Sequence, residues 1–166
     1  MSFEHTMLTI LGLVLLSTFV LSLNNSIVQN QLTMTQSEAV LEGIALAQKY
    51  IEEAEACRFD EDPSATIPSS FVSASNLGPD GNEAYPYYDD IDDFNGYEKT
   101  DRSGNVPFTI HIEVDYVTKD SPDTPTSTPT YYKRMLVKVS SPILTSLPSN
   151  TLQMKRLFGY HYFYTD

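Results

Sequence analysis

The sequence predicts an α+β protein in which one long N-terminal helix packs on an antiparallel sheet of three to four strands. Two observations lead to this fold class. The chain up to Arg58 contains no proline, as a long helix requires, and it carries an uncharged apolar stretch near its start. The C-terminal part contains three segments in which apolar and polar residues alternate, as in strands with one buried face. Packing the helix on the sheet would bury the apolar face of both.

The apolar stretch runs from Thr6 to Leu23 and contains no charged residue. As a helix it would span about 27 Å, which nearly matches the hydrocarbon core of a bilayer. Three interpretations are open. The stretch could be a cleaved secretory signal, a plain signal anchor, or a helix that is first inserted in the membrane and is then buried among copies of itself. A cleaved signal is disfavoured, because no Lys or Arg precedes the stretch and no small-residue cleavage site follows it.

The helix is predicted to continue to about Arg58, because good helix formers follow the apolar stretch without a break. Apolar residues at steps of three and four form one stripe, which we expect to pack on the sheet: Val40, Ile44, Ala47, Ile51 and Ala54. The predicted organisation is a protruding apolar helix (1–25) and a globular domain (26–166), the latter made of an amphipathic helix half (26–58), an acidic loop region (59–101) and the antiparallel sheet (102–166).

Three strands are predicted within residues 106–118, 130–140 and 151–165. A short strand around residues 97–100 is a fourth candidate. The segment between the first two strands, residues 119–130, is rich in proline and threonine, and it is predicted to be a solvent-exposed loop rather than a strand.

Several features of the N-terminal part occur together. They are the short polar start MSFEH with one Glu, the apolar run, a charge-poor continuation, the amphipathic stretch SEAVLEGIALAQKYIEEAEACRFDED, and a β-rich domain after YPYYDDIDDFNGYEKT. In this combination, over essentially its whole length, the chain resembles a type IV pilin or pseudopilin of the minor-pilin or type II secretion class. The resemblance implies a pilin-like fold. It also implies that the chain is inserted in the inner membrane before assembly, that copies of the chain then form an extracellular filament, and that an assembly platform and a motor are its partners.

The resemblance also implies an assembly site at the N-terminus. There Glu4 would pair with the terminal amine of a neighbouring subunit and set the axial register, beside Met1 and Phe3. A carboxylate in apolar surroundings needs such a partner. The alternative is an acid favoured by the helix dipole at a wet N-terminus. The side chains expected in the filament core are Leu8, Leu11, Leu13, Val14, Leu15, Leu16, Phe19, Val20 and Leu23.

The acidic run YYDDIDDFNGYE offers oxygen ligands of the kind that calcium binds: Asp89, Asp90, Asp92, Asp93 and Asn95. The run is not an EF-hand, because Gly96 falls at the seventh place counted from Asp90 rather than the sixth. Some pseudopilins bind calcium in loops of their β-region, so the resemblance supports such a site. The alternative is a solvated acidic loop. We expect no other cofactor.

Composition narrows the functional classes. The net charge of −12 argues against binding to nucleic acid or to an anionic membrane surface. The single cysteine, Cys57, excludes an internal disulfide. The sequence contains no Gly-rich phosphate loop, Ser/His/Asp set or CxxC motif, so we do not expect an enzyme. The functions left are a structural filament subunit, a minor pilin or pseudopilin that primes assembly or acts in secretion, and a membrane-anchored binding domain.

Overall fold

The computed structural model describes residues 3–62, 66–81, 83–102 and 106–160. Met1, which the sequence places at the assembly contact, lies outside the described residues, as does the predicted third strand from His161 onward. One long helix precedes an antiparallel sheet, so the predicted α+β class is confirmed.

The helix, α1, spans Phe3–Glu55. It ends before the predicted Arg58, because the backbone N–H groups of Ala56 and Cys57 bond to carbonyls three residues back, each at 3.2 Å, and tighten the last turn. The chain forms two compact units, Met1–Glu38 and Ala39–Asp166, and α1 contributes residues to both. Residues 26–38, which the sequence analysis grouped with the globular domain, therefore belong to the first unit.

The sheet has five strands and every pair in it is antiparallel. Its main path follows the order β1-β2-β4-β5, and β3 pairs with one end of β2. The strands are β1 (Glu98–Asp101), β2 (Phe108–Thr118), β3 (Ser121–Pro125), β4 (Tyr132–Ser140) and β5 (Thr151–Gly159). Strand β1 corresponds to the fourth candidate of the sequence analysis.

One face of the sheet carries the core of the second unit. Alternate residues of β2 are buried on it: Phe108, Ile110, Ile112, Val114 and Tyr116. On β4, Val139, Val137 and Met135 lie opposite Ile110, Ile112 and Val114. The next place along this face is opposite Tyr116, and there β4 carries Lys133, which is fully buried. A charged residue thus occupies a core position of the central strand pair.

Within the second unit, α1 presents mainly small side chains to the core. Its buried residues are Ala39, Gly43, Ala47, Tyr50, Ile51 and Ala54. A Cβ at Gly43 would lie 3.5 Å from Leu152 and 3.8 Å from Val139, so the helix backbone lies close to the sheet. Val40 and Ile44, the first two residues of the predicted stripe, are only half-buried. Close packing explains this difference, because small residues such as Gly43 and Ala47 let the helix approach the sheet.

Strand β3 contradicts the prediction of a loop over residues 119–130. Val117 pairs with Pro125 and Thr118 with Ser121, with an irregularity between the two pairs. All five residues of β3 are exposed. The prolines are compatible with pairing here because β3 lies at an edge, where not every backbone N–H has to donate to a neighbouring strand.

Part of the acidic region, residues 59–101, packs into the core. Phe59, Phe71, Ile91 and Phe94 from this region belong to the hydrophobic core. A 3₁₀ turn, Asp92–Phe94, carries two acids that are each 2% exposed. The solvated-loop alternative is therefore wrong for the centre of the acidic run.

Candidate functional site

The surface of α1 in the first unit is the first candidate site. Large apolar side chains along residues 3–34 are exposed by between 44% (Val28) and 82% (Phe3). Hydroxyl groups in this segment donate to carbonyls of their own helix, as Thr6 does to Phe3 at 2.8 Å and Ser17 to Leu13 at 2.8 Å. Such bonds lower the cost of transferring these hydroxyls out of water. The helix is long and apolar enough to cross a membrane.

The predicted assembly residues lie at the start of this surface. Glu4 is in the first turn of α1, where the helix dipole favours a negative charge. Phe3 is almost fully exposed beside it. The predicted filament-core side chains from Leu8 to Leu23 are likewise exposed. This site therefore consists of one acid followed by an uncharged apolar surface.

The acidic run is the second candidate site, and backbone pairing holds it in place. The N–H of Arg58 donates to the Asp89 carbonyl at 2.9 Å, and the N–H of Ile91 donates to the Arg58 carbonyl at 3.0 Å. These bonds form a parallel bridge between the end of the helical region and the acidic run. The guanidinium of Arg58 also pairs with the Asp89 carboxylate.

The five predicted calcium ligands do not converge on one point. Asp92 pairs with Lys133. The Asn95 side-chain oxygen accepts the N–H of Val114 at 3.0 Å, and its amide donates to the Leu77 carbonyl at 2.9 Å. Asp92 and Asn95 are thus not brought together with Asp89, Asp90 and Asp93, because other groups of the core contact their oxygens.

The carboxylates of Asp90 and Asp93 accept hydrogen bonds from the backbone of their own turn. Asp90 Oδ1 accepts the N–H of Asp92 at 2.8 Å and that of Asp93 at 3.2 Å. Asp93 Oδ2 accepts the N–H of Asp89 at 3.0 Å and that of Asp90 at 3.2 Å. Both acids are 2% exposed. These hydrogen bonds stabilise the turn, and they use one carboxylate oxygen of each acid that could otherwise bind a metal.

Lys133 lies at the centre of a buried polar cluster. Its ammonium donates to Asp92 Oδ1, to the Phe59 carbonyl and, at 3.1 Å, to Asp60 Oδ1. The Tyr116 hydroxyl donates to the Val72 carbonyl at 2.9 Å and lies 3.4 Å from Asp60 Oδ1. All three hydrogens of the ammonium therefore have acceptors, as a buried lysine requires.

Several carboxylates close together shift their own protonation equilibria. Burial, and after it the charge of Asp92, raises the pKa of Asp90 to about 8. Burial also raises the pKa of Asp92, against the effect of Lys133. Burial raises the pKa of the Tyr116 hydroxyl, which keeps it neutral and able to donate. Asp90 therefore retains a proton well above the usual range of an aspartic acid.

Two groups of carboxylate oxygens lie beside this cluster, each within 4.8 Å: Glu61 with Asp89 and Asp90, and Glu83 with Asp89 and Asp93. In both glutamates Oε2 is buried and has no hydrogen-bond partner among the described residues. Burial is the largest cause that raises the pKa of Glu61, and the charge of Asp89 is the next. Burial is also the largest cause that raises the pKa of Glu83, followed by the charge of Asp93. These arrangements are acidic and incompletely paired.

Sequence reasoning missed Lys133, Asp60, Glu61 and Glu83. For Lys133 a signal was present, since it lies two residues before Met135 and so shares the face of Met135, Val137 and Val139. For Asp60, Glu61 and Glu83 no local pattern indicates the position, because long-range packing brings them to the acidic run.

Comparison of the chain with family models, with curated proteins and with solved structures finds no match in any of the three. The resemblance to type IV pilins therefore rests on the features of the sequence and on a compatible fold, a long apolar N-terminal helix followed by an antiparallel sheet.

Proposed function

We propose that this chain is a structural subunit of a thin extracellular filament of the type IV pilus kind, assembled by bundling of its N-terminal helices. The observation that carries the proposal is the surface of α1 in the first unit, which exposes large apolar side chains and has no ionisable group between His5 and Glu38. Before assembly this helix would lie in the inner membrane.

The reason is energetic. Burying one leucine side chain is favourable by about 1.5–3 kcal/mol, so a helix that exposes many of them is stable in lipid or among similar helices rather than in water. A filament supplies the second environment when neighbouring copies replace the lipid. Contacts related by a rotation that does not close generate a helical fibre. The acidic second unit would face water.

In this proposal Glu4 sets the register between neighbouring copies. Its position in the first turn suits a carboxylate even in the monomer. Burial in a bundle requires a cation, and we propose the terminal amine of an adjacent copy as that cation. The proposed partners of the chain are thus other copies of itself, the membrane before assembly, and an assembly platform with its motor.

The role of Glu4 is tested by Glu4→Lys, with Glu38→Lys as the matched charge reversal outside the apolar stretch. Glu4→Lys should abolish filaments in sheared cell fractions while the protein remains in the membrane fraction, and Glu38→Lys should keep filaments. Unchanged filaments in Glu4→Lys would remove the register role.

Two alternative functions remain. A minor pilin or pseudopilin would use the same helix to prime assembly or to act in secretion, and would appear in filaments at low copy number or not at all. A membrane-anchored binding domain would stay in the membrane as single copies. Quantifying this chain in purified filaments by immunoblot against the total subunit mass separates the three.

We further propose calcium as a ligand of the acidic region, with Glu61, Glu83, Asp89, Asp90 and Asp93 as candidate ligands. Two buried glutamate oxygens without partners favour a hard cation here. A bound cation would have to compete with Arg58 for Asp89. Calorimetric titration of metal-free protein should give saturable heat with calcium, and the double change Glu61→Gln with Glu83→Gln should abolish it. Absence of heat in the original chain would remove the proposal.

A further inference from the structure

Lys133 is the most unusual side chain of the second unit, since it is fully buried and lies on the apolar face of the sheet. The carboxylates in contact with it are buried too: the Asp60 side chain is 1% exposed and that of Asp92 is 3% exposed. The amine also lies 4.7 Å from the centre of the Phe59 ring and 5.4 Å from that of Tyr116. An amine, two carboxyl groups and two aromatic rings thus share one closed site.

We propose that Lys133 and Asp92 become joined by an intramolecular amide bond, with Asp60 as the residue that transfers the proton. Nζ of Lys133 is in direct contact with Oδ1 of Asp92, and Asp60 Oδ1 lies 3.1 Å from the same nitrogen. The reacting groups are therefore held together by the fold. The modification would be formed by this chain alone.

The reaction balances without any further reagent. The ammonium of Lys133 first gives a proton to the Asp92 carboxylate, which produces a neutral amine and a neutral acid. The amine lone pair attacks Asp92 Cγ, and the N–C bond forms. Asp60 takes the excess proton from nitrogen and passes it to the departing hydroxyl, so that the C–O bond breaks and one water molecule leaves. Asp60 ends as it began, and no oxidant or reductant is consumed.

The environment favours this product over the ion pair. A buried ion pair bears the cost of removing two charges from water, and an amide bond removes the charges of Lys133 and Asp92. The Asp60 carboxylate keeps the N–H of Val72 as a donor, at 3.3 Å. Holding the reactants in contact converts the step into an intramolecular one, which is the condition for a high effective concentration. Exclusion of water from the site also protects the amide from hydrolysis.

The outer face of the sheet provides an internal comparison. Lys138 Nζ lies 2.5 Å from Glu113 Oε1, so the contact between amine and carboxylate is as close there. Both side chains are about a third exposed, and no second carboxylate is described in contact with Lys138 among the residues of the structure. Water stabilises the separated charges at that position. Amide formation is therefore expected at Lys133 and not at Lys138.

The bond would connect β4 to the 3₁₀ turn Asp92–Phe94, two parts of the chain that are distant in sequence. It would lock the acidic run to the central strand pair. The inference depends only on the core of the second unit, so it holds whether or not the chain forms filaments.

Mass spectrometry of the full-length chain, purified in mild detergent and digested with trypsin after denaturation, tests the proposal. Cleavage after Arg58, Lys99 and Lys119 separates Asp92 and Lys133 into different peptides. The expected product is one branched peptide joining residues 59–99 to residues 120–134, lighter than the sum of its two parts by one water molecule. Trypsin would not cut after the modified Lys133. Fragmentation should place the branch at Asp92.

Two variants sharpen the result. Asp92→Asn should give the same branched peptide with loss of ammonia instead of water, because the amide product is identical. Asp60→Asn should slow formation by about a hundredfold or more, the typical contribution of a positioned proton-transfer group. No branch should form between Lys138 and Glu113 in the same digest. Complete recovery of unlinked residues 59–99 and 120–133 from the folded original chain would overturn the proposal, as would a branch at Asp60.

Discussion

The two units of this chain depart from the usual distribution of residues in opposite ways. The first unit exposes large apolar side chains, with Phe3, Leu8 and Leu15 each more than half exposed. The second unit buries charge, with Lys133 and four aspartates of the acidic region each at most 2% exposed. Soluble proteins normally show neither feature on this scale.

The two units differ in where these unusual groups find their partners. In the second unit, the charges around Lys133 are satisfied inside the chain, because Lys133 has three acceptors and Asp90 and Asp93 accept N–H groups of their own turn. In the first unit, the described residues offer nothing to cover the apolar surface. In our proposal, the membrane or neighbouring copies in a filament cover this surface.

The largest effect is expected from removing the buried cation. Lys133→Met leaves Asp60 and Asp92 without their partner, whether that partner is an ammonium or the proposed amide nitrogen. Loss of one member of a buried ion pair alone typically costs about 3–5 kcal/mol. The full chain in mild detergent should show a much lower melting temperature in near-ultraviolet circular dichroism. All 11 tyrosines lie in the second unit and there is no tryptophan, so this signal reports that unit.

The matched control is Lys138→Met, which removes a partly exposed pair on the opposite face. A change of about 0–1 kcal/mol is expected there. Equal effects of the two substitutions would contradict the distinction between the core and the outer face of the sheet.

A charge in the apolar surface should have the next largest effect, and only on the first unit. Leu16→Arg places a cation near the middle of the stretch Thr6 to Leu23, at a cost of about 2.5–3.5 kcal/mol for insertion into a membrane. The chain should shift from the membrane fraction to the soluble fraction and form no filaments. The tyrosine melting curve should not change. A lowered melting temperature would show that the second unit depends on this surface.

Gly43 tests the close approach of α1 to the sheet. Gly43→Leu should destabilise the second unit by about 1–3 kcal/mol, the usual cost of overpacking, because Leu152 and Val139 occupy the space. Gly43→Ala should be tolerated or stabilising by up to about 1 kcal/mol, since its Cβ meets ordinary contact distances and alanine favours the helix. Thermal melting followed by the tyrosine signal measures both. Tolerance of leucine would contradict the packing described here.

The last expected effect is a pH dependence of the second unit. Asp90 has a folded pKa raised to about 8 from its ordinary 3.8, so between these values the folded state holds a proton that the unfolded state does not. Its stabilising contribution is complete below the ordinary pKa and is lost as the pH rises through the folded one. The melting temperature in a chelating buffer should therefore fall from pH 5 to pH 8.5, and Asp90→Asn should reduce this slope.

Much of the fold follows from local sequence patterns. The absence of proline up to Arg58 predicted α1, and strict alternation predicted β2 with Ile110, Ile112 and Val114 on one face. These signals are reliable because they repeat over many residues. The helix face was harder, since large aliphatic residues such as Ile44 were weighted above the small Gly43 that permits close packing.

The candidate site in the second unit could be predicted only in part. The acidic run drew attention to Asp90 and Asp92, but composition alone favoured either a metal or solvent as their partner. Their actual environment depends on Lys133, 41 residues after Asp92, and on Asp60. Alternation along β4 places Lys133 on the apolar face, so a lysine at a core position was the available signal for a buried ion pair.

The most direct test of the central proposal is electron microscopy of material sheared from cells that produce this chain, with antibody against the second unit. The proposal predicts thin fibres with a helical repeat that are labelled along their whole length, and loss of these fibres in Leu16→Arg. If the antibody labels no fibres and the chain is recovered as single copies in the membrane fraction, the filament function is contradicted.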